Sequence, residues 1–239
     1  GGDGFGNEDN NDYVSSFAKK FPDRISAWVD VDCVWRKDHH KPGAVTRLRE
    51  ELSRNNAKGF THYVTAENDG WFHTDEGQEF FATAAELKVV ASMAISPAWF
   101  PDLREIAKAN PTLPFLVHHM SMPGNSSSGY AKNDIAELVK SAEVPNIGIK
   151  ISGFNYNSIE KYDFPYKQSQ ELFKTIYDAY GADRLYWASD FPASRDMLTY
   201  TQAIEVVRTH CDYLPKADLD KIMGDNLNNL LNNPVFSQK

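Results

Sequence analysis

Two short apolar runs in this chain end abruptly in side chains that can move a proton. Phe115-Leu116-Val117 runs into His118-His119, and Leu185 to Ser189 runs into Asp190-Phe191-Pro192. In a parallel α/β protein the carboxyl end of each strand opens into the ligand crevice. A histidine at one such end and an aspartate at another are therefore candidates for a base, an acid or a metal ligand. Alternation puts Asp190 on the face of Tyr186 and Ala188, His119 on that of Phe115 and Val117, and His118 with Leu116. Capped strand ends with solvated polar groups are the competing reading.

Other positions add to this pair. Gly148, Lys150 and Ser152 lie opposite Ile147, Ile149 and Ile151. If the isoleucines meet the helices, Lys150 faces the interior, where an ammonium needs a carboxylate partner or an anionic substrate. Asn68-Asp69-Gly70-Trp71-Phe72-His73 follows a strand, so Trp71 and His73 either wall a pocket or plug the next helix. Arg195, just beyond Asp190, can recognise a carboxylate or lie on the surface. His39-His40 reads as a solvated loop, and His62 and His210 as ordinary strand and helix residues.

The elements that must position these residues are legible as an alternation. Strand-like runs span Ile25–Val31, Lys58–Val64, Lys88–Ile95, Pro114–His119, Asn146–Ser152 and Arg184–Asp190. They are rich in Val, Ile and aromatics and bounded by Pro, Gly, Asn and Asp. Helical stripes lie between them, such as Ile135-Leu138-Val139-Ala142 and Leu172-Phe173-Ile176-Tyr177. Ser96-Pro97 suits a helix start before Trp99–Ala109, and Gly181 a stop after Tyr180. Helices are also expected at Met197–His210, at Pro215–Met223 and at Asn226–Leu231, the last capped by Asp225. Parallel strands with covering helices follow, either as an open doubly wound sheet or as six strands of a barrel. No G-x-G-x-x-G follows the first strand, so no nucleotide cofactor is expected.

The 239 residues, 41% hydrophobic and 13% aromatic, suffice for one core, and 1–239 reads as a single domain. A net charge of −8 disfavours nucleic acid and anionic membrane as partners. Cys33 and Cys211 make no disulfide framework, and no membrane span or signal peptide is visible. A cytoplasmic location is the expectation. The chain starts Gly1-Gly2-Asp3-Gly4-Phe5-Gly6, with no initiator methionine and like the middle of a loop, so any targeting information would lie upstream.

Several segments in order carry a resemblance. They are Phe21-Pro22-Asp23-Arg24 leading to Asp32, Lys58-Gly59, and Asn110-Pro111 through His119 to Pro123. Further on come Pro145-Asn146-Ile147 through Lys150-Ile151-Ser152-Gly153, Tyr180-Gly181-Ala182-Asp183-Arg184-Leu185 with Ser189-Asp190-Phe191-Pro192, and Ile222 to Asn226. Together they resemble the amidohydrolase-related hydrolases, the branch with small lactonases and aminocarboxymuconate-semialdehyde-type decarboxylases. The resemblance implies a (β/α)8 TIM-type barrel whose third to eighth strands are present, the first, with its His-x-His pair, and the second being absent. It makes Asp190 a metal ligand or the base that activates water, and His119 its partner. His118, Lys150, Trp71, His73 and Arg195 are then substrate-binding candidates. Any divalent metal, such as zinc, would use His119 and Asp190. At the end of the fifth strand, where metal-binding members carry a histidine, this chain has Ala91-Ser92-Met93-Ala94. The expectation is therefore lactone opening on a small, anionic substrate, with metal weakly held or absent and a homo-oligomer allowed. A metal-dependent decarboxylase and an inactive fragment are the alternatives.

Overall fold

The computed structural model describes residues 10–232, so the glycine-rich start lies outside the described residues. The chain divides into two compact units, the first ending at Leu116 and the second beginning at Val117.

The first unit runs α1 (Asn10–Lys20), β1 (Trp28–Asp30), α2 (Ala44–Asn55), β2 (Gly59–Tyr63), α3 (Asp75–Glu86), β3 (Val90–Ala94) and α4 (Phe100–Ala109), then enters β4 (Phe115–Val117). β1, β2 and β3 pair in parallel and in chain order. The amide of Ala91 donates to the carbonyl of Pro114, which starts β4 beside β3. α2 buries Ala44, Leu48 and Leu52 at helical spacing, and α3 buries Phe80, Phe81 and Ala84. Each phenylalanine contributes roughly 2–3 kcal/mol on burial, more than the few tenths by which most residues differ in helix propensity. Packing therefore sets where α3 sits, and the Thr74 hydroxyl, accepting from the Gly77 amide, sets where it starts.

The second unit begins in β4 and adds a short antiparallel hairpin, β5 (Asn125–Ser126) with β6 (Gly129–Tyr130). It continues with α5 (Lys132–Lys140), β7 (Ile147–Ile151), α6 (Phe154–Asn157), α7 (Lys167–Tyr180), β8 (Leu185–Trp187), α8 (Tyr200–Arg208), α9 (Lys216–Asp220) and α10 (Asn226–Asn232). β7 and β8 pair in parallel. Arg184 donates to the carbonyls of Ala142 and Val144, and the Asn226 amide to those of Ala182 and Leu185. Two segments that carry the resemblance thus fasten the strand that delivers Asp190.

The architecture is the expected α/β class. Within each unit the parallel strands follow chain order with a helix between neighbours, as in a (β/α)8 barrel and unlike the reversal of a doubly wound sheet. Among the described residues no helix is long and apolar enough to cross a membrane. Three local expectations need correction. Ser96 caps no amide with its side chain but donates to the carbonyl of Ala66. α8 starts at Tyr200, not Met197, because Thr199 and Gln202 form a reciprocal capping box there. Asp225 is no cap, since it ends a wide helical turn, Lys221–Asp225, that passes directly into α10.

Candidate active site

In the second unit three chain segments bring side chains together. After β4 the backbone turns left-handed at four successive residues, His119 to Met122 (φ 49°, 54°, 65° and 48°). Such conformations cost energy for residues with a Cβ and persist where surrounding contacts impose them. Here the Asn157 side chain donates to the carbonyls of both His119 and Gly153. After β7, Gly153 has φ 72°, and a Cβ there would lie 2.8 Å from the Tyr156 ring and 3.0 Å from the His119 Cβ. Only glycine lets His119 and Tyr156 approach this closely. After β8, Asp190 itself has φ 53°.

The resulting contacts form a chain. Ser152 Oγ lies 2.9 Å from His119 Nδ1, and His119 Nε2 lies 3.8 Å from Asp190 Oδ1. Tyr156 donates its hydroxyl proton to Asp190 Oδ2 at 2.5 Å. Lys150 Nζ donates to His118 Nε2 at 3.1 Å. An ammonium has only protons to offer, so His118 accepts at Nε2 and carries its own proton on Nδ1. Burial lowers the pKa of His118 well below its ordinary value, and the Lys150 charge lowers it further. His119 is lowered too, by burial first, with Asp190 opposing and Lys150 adding. Burial brings Lys150 down to about 8, against the pull of Asp190. Near neutral pH the cluster therefore presents neutral imidazoles beside an ammonium.

His119 and Asp190 supply two donors for a metal, whereas a catalytic zinc site usually takes three protein ligands. No other described His, Cys, Asp or Glu completes a group of three with them. These two residues alone do not fit a resident catalytic ion.

The first unit holds a second cluster, at residues to which the sequence suggested no role. His40 is no solvated loop residue: its ring stacks on Trp71 at 4.3 Å, and its side chain is only 6% exposed. Its Nδ1 meets Asp69 Oδ2 at 2.5 Å, and its Nε2 lies 3.2 Å from His62 Nε2. His62, fully buried on β2 against Phe80 of α3, points its Nδ1 at the Val31 carbonyl. Asp32 accepts from Arg47 and from the His40 amide. Asp32, His40 and His62 present ligand atoms within 4.8 Å of one another, a group that could hold a metal ion.

The remaining candidates are scattered. Trp71 is buried and packs against His40 and Phe80. His73 is half-exposed and pairs with Asp102 at 3.0 Å. Arg195 lies on the surface against Asp196. His118, by contrast, is buried and not solvated.

The sequence matches the amidohydrolase family over residues 3–229. This chain belongs to that family. Its fold is similar to that of an amidohydrolase from Burkholderia multivorans with bound zinc (TM-score 0.76, 18% identity, 95% of this chain and 80% of that one). It is also similar to a probable 2-pyrone-4,6-dicarboxylic acid hydrolase from Acinetobacter baumannii with citric acid bound (0.74, 18%, 93% and 79%). A 2,6-dihydroxybenzoate decarboxylase from Rhizobium is more distant (0.61, 14%, 93% and 76%). No curated protein sequence matches the chain.

For this amidohydrolase chain, sequence reasoning missed Tyr156, Ser152 and the His40–His62 pair. Tyr156 had a signal, an aromatic residue three positions beyond a strand-ending Ser-Gly.

Proposed function

We propose that the chain is the catalytic part of a hydrolase that opens a lactone or related cyclic ester of a small carboxylate. The observation that carries the reading is Asp190. One of its oxygens is held by Tyr156 and the other faces His119, with the Lys150 charge close enough to act on it.

In this reading Asp190 takes the proton from the attacking water. The Tyr156 hydrogen bond fixes the carboxylate's orientation, which lowers the reorganisation needed at the moment of transfer. Lys150, still charged below pH 8, offers its field to a substrate carboxylate or to negative charge developing on the ester carbonyl. The proton taken by Asp190 passes to Nε2 of the neutral His119, which hands it to the departing alkoxide or enolate oxygen, while Ser152 holds the ring at Nδ1. His118 keeps Lys150 in place. The fold similarity to a probable pyrone-dicarboxylic acid hydrolase supports a small anionic lactone as substrate class.

Decarboxylation is the second reading, favoured by the fold similarity to the Rhizobium decarboxylase. A panel of 2-pyrone-4,6-dicarboxylate, sugar-acid lactones and hydroxybenzoates separates the two. Ring opening without loss of carbon dioxide is expected, and turnover of the hydroxybenzoates alone would reject the lactonase reading.

A further inference from the structure

The His40–His62 contact is electrostatically incomplete. The Val31 carbonyl can only accept, so His62 Nδ1 must carry a proton. Asp69 accepts at its other oxygen from the Trp71 amide. As a carboxylate it can only accept, so His40 Nδ1 carries a proton as well. In their neutral forms both rings then turn bare Nε2 lone pairs toward each other at 3.2 Å. Two acceptors at that distance repel unless an electrophile sits between them.

We propose that His40 and His62 bind a borderline-soft divalent ion of the zinc class through their Nε2 atoms, with the Asp32 carboxylate as the third ligand. Two nitrogens bound at 2.0–2.1 Å to a tetrahedral ion lie about 3.3 Å apart, and here they are 3.2 Å apart. Both outer nitrogens already have the oxygen partner that metal-binding imidazoles show, a carboxylate for one and a backbone carbonyl for the other. Trp71 and the Phe80 layer hold the rings in plane and position, so little side-chain entropy is left to lose. Asp32 has one oxygen engaged by Arg47 and the other by the His40 amide, and each retains a lone pair. Two imidazoles and one carboxylate favour zinc-like ions over calcium or magnesium, which prefer all-oxygen shells. His39 stacks on His40 at 3.7 Å, and its buried Nε2 has no hydrogen-bond partner. It is a third nitrogen donor beside the site.

The full chain, stripped by chelation and dialysed, is titrated with zinc and read by calorimetry and metal analysis. It is compared with His40→Gln, His62→Phe and, as a control for the separate cluster, Asp190→Asn. The expected result is one ion fewer per chain in His40→Gln and His62→Phe than in wild type, with Asp190→Asn retaining that ion. Asp69→Asn is expected to weaken binding roughly 10–100-fold, the usual effect of removing an outer partner. His62 is deeply buried and its variant can fail to fold, so His40→Gln, checked by circular dichroism, decides. Equal zinc content in wild type and His40→Gln, or no uptake by wild type, would overturn the proposal.

Discussion

The two clusters use the same residue types to opposite effect. Around Asp190 donors and acceptors alternate: Tyr156 gives to Asp190, and Lys150 gives to His118. Around His62 acceptor meets acceptor, because Asp69 and the Val31 carbonyl have taken the Nδ1 protons outward. An alternating set suits passing a proton, whereas a converging set of lone pairs suits holding a cation. What a histidine can do is set by the partner of its other nitrogen, which lies outside any local sequence motif.

The sharpest way to break the comparison is Asp190→Asn, which keeps the shape and removes the base. Turnover is expected to fall about 10²–10⁴-fold, the usual range for a positioned general base, measured as kcat on any lactone the panel finds. Retained activity would mean that water is activated elsewhere. Gly153→Ala comes next: the added methyl would sit 2.8 Å from Tyr156 at a left-handed φ of 72°, and the neighbour is a ring packed in place. We expect at least about 2 kcal/mol of lost stability, read from denaturant midpoints, together with loss of turnover.

Tyr156→Phe removes one charge-assisted hydrogen bond, worth about 1.5–3 kcal/mol, and is expected to lower kcat roughly tenfold or more with a smaller change in KM. A larger rise in KM than fall in kcat would make Tyr156 a substrate contact and not a support for Asp190.

Two pH experiments sharpen the contrast with smaller effects. Lys150 loses its charge as pH rises through about 8, so KM for an anionic substrate should climb above that pH. Lys150→Met should flatten that limb. His62 has its folded pKa at about 3, below its ordinary value near 6.5. Between these values the unfolded chain binds the extra proton, so stability should fall as pH drops from 6.5 toward 3. His62→Gln, which cannot titrate, should lose less across that window in urea melts made at several pH values, and an equal loss would place the acid sensitivity elsewhere.

Much of the fold was legible because strands and helices here carry strong periodic patterns. Each of the six expected strand runs contains an observed strand, shortened by one to three residues at either end. The β5–β6 hairpin was not legible, since two-residue strands leave no period to read. Within the site, Asp190, His119 and Lys150 were marked by abrupt changes of chemistry at strand ends. His40 was not, because its burial depends on Trp71 folding back over the loop from thirty-one residues further along. His62 looked ordinary for a related reason. It shares a face with Phe60, and an apolar face gives no hint that one ring nitrogen looks outward to a second histidine.

The reaction type is tested most directly by product analysis in oxygen-18 water with chelator present, using 2-pyrone-4,6-dicarboxylate and sugar-acid lactones. Water attack assisted by Asp190 should give the ring-opened acid with one labelled oxygen and no carbon dioxide. Carbon dioxide release from any of these substrates, or a ring-opened product without the label, would contradict it.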